Sequence, residues 1–596
     1  MVSRFVPVAL AFALAATAGF AAPASESAGS ASTAEKEMIR NAWGELQEKP
    51  RYGGTINYVY WVPAIENSMD NYWGWGGMWN SAGERLGQNN WAVSREIEDY
   101  KNWWGPNTMG PGLAESWEQP DPGTTIFHIR EGVKWHNLPP VNGREFTAKD
   151  VEYVFHRVWG LGSGFSERSP YAGEPFFNKI TSVEATDKYT VVFKHPVNAY
   201  SLPTFLTAGW SDMIAPPREV VEEYGDMKDP AHVIGTGPWM FADYVPGTSL
   251  TWVRNPDYWQ NDALFPDHEF QLPYADEFRQ LAMPEKSTQL AALRSGKLDR
   301  MDGNNWGDTG ITWEQKESLE RTNPELQFAA YTMTGSGLTY RYGTEPLWPD
   351  IRVRQALDMA IDREQIARTW GGGYVDAIPK AWSYTAVPGF YNPWDQIPEE
   401  VRETYTYNPE KAKQLLADAG YPDGFKTQLL LPSDQDTDLY LIVQSHLAEI
   451  GVDMEIEILD PSAHVALVSS GEWEGMSIRG WGIGYPGPIG PARHFYGPDA
   501  GESNPQFIQD PEYDALIDAA AVEADLDEYQ GLLTAANDYI VRQHWRMFII
   551  MNAEFRAWQP WIKSYRGENR LGTDYGHGLV MAHVWVDQEL KKSMGN

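Results

Sequence analysis

The residues able to do chemistry are 82 Asp and Glu and 12 His, and there is no cysteine. They carry no catalytic signature. There is no Gly-x-Ser-x-Gly elbow, no His-Glu-x-x-His and no phosphate loop ending in Gly-Lys-Ser/Thr. Gly160-x-Gly162-x-Gly164 lacks the dinucleotide spacing and reads as a loop. Without thiolates there is no Cys-based metal site, and the histidines show no ligand spacing. A carboxylate pair for glycoside hydrolysis could come from anywhere in the chain, so no pair is singled out. The expectation is a protein without catalytic residues, metal or cofactor. What stands out is the aromatic content, 27 Trp, 30 Tyr and 22 Phe in 596 residues. Flat apolar faces with one polar handle suit a core, and equally a cleft for sugar rings, peptide side chains or other neutral organic molecules.

The charge excludes other partners. With 47 Lys and Arg against 82 acids the net charge is −35, and nucleic acid or an anionic lipid surface needs a basic patch. Met1 to about Ala24 has a basic start at Arg4, an apolar run from Phe5 to Ala22 and small residues at Ala21, Ala22 and Ala24, the layout of a cleaved export signal. The run is too short and too Ala-rich for a membrane span, and no cysteine is present for lipid modification. The expected location is the periplasm.

Residues 25–49 are small, polar and charged, and read as a flexible leader. Thr55 to Tyr60, Thr125 to Arg130, Tyr189 to Phe193 and Val452 to Leu459 have strand patterning, the last with Val452, Met454, Ile456 and Ile458 on one face. Helices are announced by the Thr147–Asp150 capping box, by Asp362 with Gln365, and by Asn408-Pro409 before a helix closed at Gly420. Pro511 to His544 reads as largely helical. Strands and helices mix throughout, so the fold class is α/β, with mixed α+β lobes.

Eight segments, in order, carry a resemblance. They are Gly110-Pro-Gly-Leu-Ala-Glu-Ser-Trp117, Phe127-His-Ile-Arg-Glu-Gly-Val-Lys-Trp-His136, Phe146-Thr-Ala-Lys-Asp-Val151, Gly235-Thr-Gly-Pro-Trp239, Arg254-Asn-Pro-Asp-Tyr-Trp259, Leu293-Arg-Ser-Gly-Lys-Leu-Asp299, Arg352-Val-Arg-Gln-Ala-Leu357 with Ala360-Ile-Asp-Arg363, and Tyr407-Asn-Pro-Glu-Lys-Ala-Lys-Gln-Leu-Leu416. From about Arg51 to the C-terminus the chain resembles the family 5 extracellular solute-binding proteins of ABC importers, which bind dipeptides, oligopeptides, nickel or oligosaccharides. The resemblance implies a two-lobed fold of the type II periplasmic-binding-protein kind with a hinge. Lobe I would comprise 50–75, 196–325 and 551–596, with an inserted subdomain at 76–195, and lobe II 326–550. It further implies a monomer that captures a small ligand, performs no chemistry, and delivers the ligand to the importer's permease subunits in the inner membrane.

The departure from the family lies at Gly480-Trp-Gly-Ile-Gly-Tyr-Pro-Gly-Pro488. The family pattern has acids where Gly484 and Gly487 stand, and in peptide binders the first acid meets the ligand's terminal ammonium. A buried ammonium without a carboxylate is costly. The expectation is therefore a neutral ligand, an oligosaccharide before an oligopeptide. An exported glycosidase and a chaperone or sensor without a permease are the readings of other classes. The expected binding residues are Tyr60, Trp61, Trp73, Trp75, Trp79, Asn304, Asn305, Trp306, Arg479, Trp481 and Tyr485. Sequencing the N-terminus of the exported chain should find it cut near Ala21 to Ala24. Full-length chain left in carbonate-washed membranes contradicts the signal reading.

Overall fold

The computed structural model describes residues 36–59, 69–73, 81–97, 109–169, 180–195, 214–301, 310–374, 390–478, 489–492, 495, 497, 504, 506–523, 525–568 and 578–596. Ten strands form one mixed sheet. In order they are β10 (Trp239–Val245), β11 (Ser249–Arg254), β12 (Glu277–Leu281), β3 (Thr55–Val59), β13 (Arg300–Met301), β18 (Arg546–Trp558), β14 (Gln327–Tyr340), β17 (Met476–Ser477), β15 (Phe425–Pro432) and β16 (Val452–Leu459). The two long strands β14 and β18 pair antiparallel from Gln327↔Trp558 to Thr339↔Arg546. Their ends lie in different cores. Ala329 and Trp558 pack with the elements before residue 280, whereas Leu338, Tyr340, Met547, Ile549 and Ile550 pack with residues 347–476. The chain is thus a mixed α/β protein of two lobes, and one two-stranded ladder runs through both.

A four-stranded sheet, β6 (Ala114–Asp121), β7 (Thr124–Ile129), β9 (Thr190–Lys194) and β8 (Ser182–Ala185), in that order, is covered by the helix Ala148–Trp159. That helix starts where the capping box predicts, with the Thr147 N–H donating to Asp150 Oδ2 at 2.8 Å. A short ribbon of β4 (Gly87–Asn89) and β5 (Met109–Pro111) precedes it. This region shares one continuous core with β3 and β10–β12. Its junction uses the Gly235-Thr-Gly-Pro motif. A Cβ on Gly235 would lie 1.9 Å from the Ala82 carbonyl oxygen, so only glycine lets the two backbone segments approach. The buried His136 ring locks the same turn, donating from Nε2 to Gly237 O at 3.0 Å and accepting the Gly235 N–H at Nδ1 at 3.2 Å. Burial holds its pKa down at about 4, so the ring is neutral and keeps this tautomer.

One expectation is corrected. Residues 36–49, the described part of the expected flexible leader, form a hairpin of β1 (Met38–Arg40) and β2 (Leu46–Glu48). Ile39 is buried and the Trp43 indole donates to Ala92 O at 2.6 Å, so these two side chains anchor the hairpin. The strand expected over Val452 to Leu459 is β16, the edge strand of the large sheet; Val452 and Met454 on its patterned face are buried, and Ile458 near its end is 55% exposed. The expected signal at 1–24 lies outside the described residues. The other helices match their signals. Asp362 caps Arg363–Thr369, Asn408 caps Pro409–Asp418, and Pro511–Val522 and Leu526–Gln543 fill the predicted helical stretch.

Glu84 gives the fold a pH signature. It is buried between the Tyr258 hydroxyl, which donates at 2.8 Å, and the Trp259 indole N–H, which donates at 3.1 Å. Burial pushes its pKa up from 4.5 to about 7. A folded-state pKa above the unfolded one means the native state binds more protons in that window. The stability contributed is full below about 4.5 and is lost as pH rises through about 7. Replacing Glu84→Gln removes that loss. The urea-derived stability difference between variant and wild type should grow in the variant's favour by about 2–3 kcal/mol from pH 4.5 to 7. A difference that does not change with pH refutes the assignment.

Candidate functional site

Strand directions locate the site. β3 and β13 are parallel neighbours that finish side by side, Val59 opposite Met301. β13 advances along β18 from Trp558 to Ala557, toward the middle of the long ladder. From the other lobe β17 advances along β14 from Tyr340 to Thr339, also toward the middle, with β15 parallel beside it. The carboxyl ends of both half-sheets therefore face one another across the midpoint of the β14–β18 ladder. Ligands of open α/β sheets sit outside strand carboxyl ends. At this midpoint the register shifts twice, between Thr332 and Gly335 and between Ser336 and Gly337. Such bulges bend a ladder and sharpen its twist. Gly337 is required there, because a Cβ would lie 2.8 Å from Met547 O and 2.6 Å from Arg546 Nε.

Most of the expected binding residues fall outside the described residues: Tyr60, Trp61, Trp75, Trp79, Asn304, Asn305, Trp306, Arg479, Trp481 and Tyr485, as do Gly484 and Gly487. Their attachment points are described. Tyr60 and Trp61 follow β3 directly. Asn304, Asn305 and Trp306 lie between Met301, paired with Ala557, and Ile311, bridged to Phe555, so both ends of that segment are fixed two residues apart on β18. Arg479 follows Ile478, just past β17. The points from which the chain leaves β3, β13 and β17 toward Tyr60, Asn304 and Arg479 are carboxyl ends of strands directed at the ladder midpoint.

Trp73 is the expected residue that the structure does describe, and it stands in a turn rather than at a strand end. Its N–H donates to Asp70 O at 3.0 Å, its ring meets Tyr72 edge-on at 5.0 Å, and Lys228 Nζ sits 3.9 Å from the ring centroid. The turn is held by Asp70, which receives both Arg157 amino groups at 2.7 and 2.8 Å and the Met227 N–H at 2.9 Å. Its ring is 40% exposed and already serves as a platform for a cation.

The sequence reading missed the polar groups on the ladder itself. Tyr331 donates its hydroxyl to Glu554 at 2.5 Å, and the buried Arg556 guanidinium lies 3.7 Å from the Tyr331 ring and donates to Gly567 O at 2.8 Å. Buried Arg300, the first residue of β13, donates to Glu568 O at 3.3 Å and stands 4.4 Å over Tyr565. These groups fix residues 565–568 beside the strand ends. The available signal was the alternation Glu554-Phe555-Arg556-Ala557, charged on one face and apolar on the other.

A second contact joins the halves. Trp313, which starts the helix Trp313–Thr322, donates its indole N–H to Trp370 O at 2.9 Å, and the Trp370 indole donates to Asp436 at 2.8 Å. Tyr374 meets Phe555 edge-on at 5.0 Å. Gly372, at φ +59°, lies directly against the Trp313 ring.

Comparison with known proteins fits this geometry. Residues 108–503 match the family of bacterial extracellular solute-binding proteins, family 5, middle region, and the chain belongs to that family. Its members are binding proteins rather than enzymes. The chain is 27% identical to heme-binding protein A of Haemophilus influenzae, over 82% of this chain and 86% of that one. It is 26% identical to the periplasmic oligopeptide-binding protein OppA of Salmonella typhimurium, over 79% and 84%. In fold it is similar to the periplasmic binding protein DppA of Helicobacter pylori solved with the peptide STSA, with a TM-score of 0.66 at 22% identity over 90% and 99% of the two chains. It is also similar to HbpA2 of Haemophilus parasuis, with a TM-score of 0.69 at 20% identity over 90% and 100%.

The Trp313 contact makes a direct prediction. A Cβ at residue 372 would stand 2.4 Å from Trp313 Cδ2, in a backbone conformation that favours glycine. Gly372→Ala should cost on the order of 1–2 kcal/mol in urea unfolding. It should also raise the radius of gyration in solution scattering, since the contact bridges the lobes. An unchanged scattering profile shows that the contact does not set their spacing.

Proposed function

We propose that this protein is the periplasmic substrate-binding component of an ABC importer, enclosing a peptide at the ladder midpoint and passing it to membrane permease subunits. The observation that carries the reading is family membership over residues 108–503, together with relatives whose names state peptide binding across some four-fifths of the chain. The oligosaccharide preferred on sequence grounds has no such support among these relatives. The convergence of strand carboxyl ends supports a binding crevice, and the change of core between Ala329 and Leu338 on β14 and between Ile550 and Phe555 on β18 supports a lobe boundary across the middle of the ladder. Among the described residues no helix is long and apolar enough to cross a membrane. Capture by lobe closure is a population shift, so affinity includes the free energy of closing.

Gly484 and Gly487 refine the reading. With glycine where peptide-binding relatives of this pattern carry an acid, the ligand is held through its backbone and side chains rather than its terminal ammonium. Aromatic residues such as Trp481 supply contact area in place of charge.

A thermal-shift panel tests this. Di- to pentapeptides, their N-acetylated counterparts and neutral oligosaccharides are compared, because a ligand that binds only the folded state raises the midpoint. Peptides should raise it, with acetylation changing affinity less than about tenfold, and Trp481→Ala should weaken binding by about 1–3 kcal/mol. A response to oligosaccharides alone overturns the peptide assignment. A large loss on acetylation overturns the role given to Gly484.

A further inference from the structure

The tie between Trp313 and Trp370 has a second half, and its place in the fold gives it a role. Ile311 continues the line of β13 along β18, bridging to Phe555 just beyond the Met301–Ala557 pair. Trp313 therefore follows the carboxyl end of β13 and the segment that holds Asn304, Asn305 and Trp306. In the other lobe Trp370 closes the helix Arg363–Thr369, and its indole is held by Asp436, the N-cap of the helix Thr437–Glu449. Asp436 stands just past the carboxyl end of β15. Both partners thus lie on the side where the strand carboxyl ends, and so the proposed crevice, are found.

The contact is an exchange of rings. From lobe I the Trp313 ring stands against Gly372, where the missing Cβ leaves it room, and its indole N–H donates to Trp370 O at 2.9 Å. From lobe II Tyr374 reaches back into lobe I. Its ring meets Phe555 edge-on at 5.0 Å and lies 5.1 Å from Lys316 Nζ, which is also 5.4 Å from the Phe555 ring and 5.7 Å from the Phe328 ring. Glu320 pairs with that ammonium at 2.8 Å, and the Lys316 side chain is only 12% exposed. Phe328 and Phe555 pack in the core of lobe I with Val59 and Leu319. The turn that carries Tyr374 is braced in its own lobe, with the Gly373 N–H donating to Ala367 O at 2.9 Å and the Tyr374 N–H to Gly371 O at 3.0 Å. Each lobe therefore seats one ring of the other by stacking, cation–π attraction and a hydrogen bond.

The contact is small enough to be broken. Lobe II supplies it from one short stretch, residues 370–374, and Tyr374 stays 42% exposed. A rotation that parts the strand carboxyl ends draws both rings out together, because both lie on that side.

We propose that Trp313 and Tyr374 form a latch, made when the lobes enclose a ligand and broken when they part, whose strength helps set the population of the enclosing form in the ligand-free protein. The latch rests on reading the crevice as a ligand enclosure, whatever the ligand is.

The chain has no cysteine of its own, so spin labels can be placed selectively. Arg321→Cys and Leu441→Cys put one label on each lobe, at exposed positions outside the latch. Double electron–electron resonance then reads their separation in the ligand-free mature chain. Trp313→Ala and Tyr374→Ala should each raise the ratio of long to short distances, by about tenfold for Trp313→Ala. Unchanged or shorter distances in either folded variant overturn the latch. Should Trp313→Ala fail to fold, Tyr374→Ala decides the matter, since its exposed ring adds less to the core. No ligand enters this measurement, so a failure of the latch is told apart from a failure of the peptide reading in the thermal-shift panel.

Discussion

The pairing of β14 with β18 is the constraint on which the rest depends. The two strands run antiparallel through both cores, and every other strand of the large sheet is attached to one end or the other. Backbone hydrogen bonds resist stretching but allow twist, and the twist is concentrated where the register shifts near Gly335 and Gly337. The lobes are thus tied closely along the strands yet can rotate about their midpoint, where the strand carboxyl ends meet. The Trp313–Trp370 hydrogen bond is a second tie between the halves, made outside the ladder.

Buried polar groups hold the first lobe in register. Asp299 accepts the Asn57 N–H at 2.7 Å, the Trp561 indole N–H at 2.6 Å and the Lys591 ammonium at 2.6 Å, so one carboxylate binds β3, the segment after β18 and the C-terminal helix. Removing it would leave a part-buried ammonium and an indole unsatisfied together, which makes such networks costly to break. The tryptophans follow the same logic. Trp239, Trp252, Trp561 and Trp585 are fully buried, and each donates its indole N–H to a named acceptor. Many of the aromatic residues that drew attention in the sequence are thus core residues with a polar tether.

Local structure was legible in the sequence because its causes are local. The Thr147–Asp150 box, Asp362, and Asn408-Pro409 each start a helix where a side chain satisfies free N–H groups within three residues. The eight ordered segments announced the family, and the structure shows why they are what they are. Gly235 and Gly237 face the Ala82 carbonyl, His136 ties their turn, and Trp239 reaches Gly578. The ladder was not legible, since the partner of Gln327 is Trp558, over two hundred residues away, and glycines interrupt the β14 pattern. The N-terminal hairpin escaped notice because Met38, Ile39, Ala42, Trp43 and Leu46 fall in no two-residue alternation among the charged residues around them. For the site, the reading chose residues by type. The structure adds strand direction, which orders the attachment points of Tyr60, Asn304 and Arg479 and sets Trp73 apart.

The same topology governs how the chain can come to be folded. β3 near the beginning waits for β13, β13 waits for β18, and the hairpin at residues 38–48 is tied to the far end through Lys36–Asp587, Arg51–Glu589 and Glu45–Arg566. A polypeptide emerging N-terminus first cannot complete its first half-sheet until almost all of its length has appeared. Loop closure over such separations slows folding. Lateness of folding is thereby written into the strand order: the first half-sheet is the part of the chain made earliest and closed last.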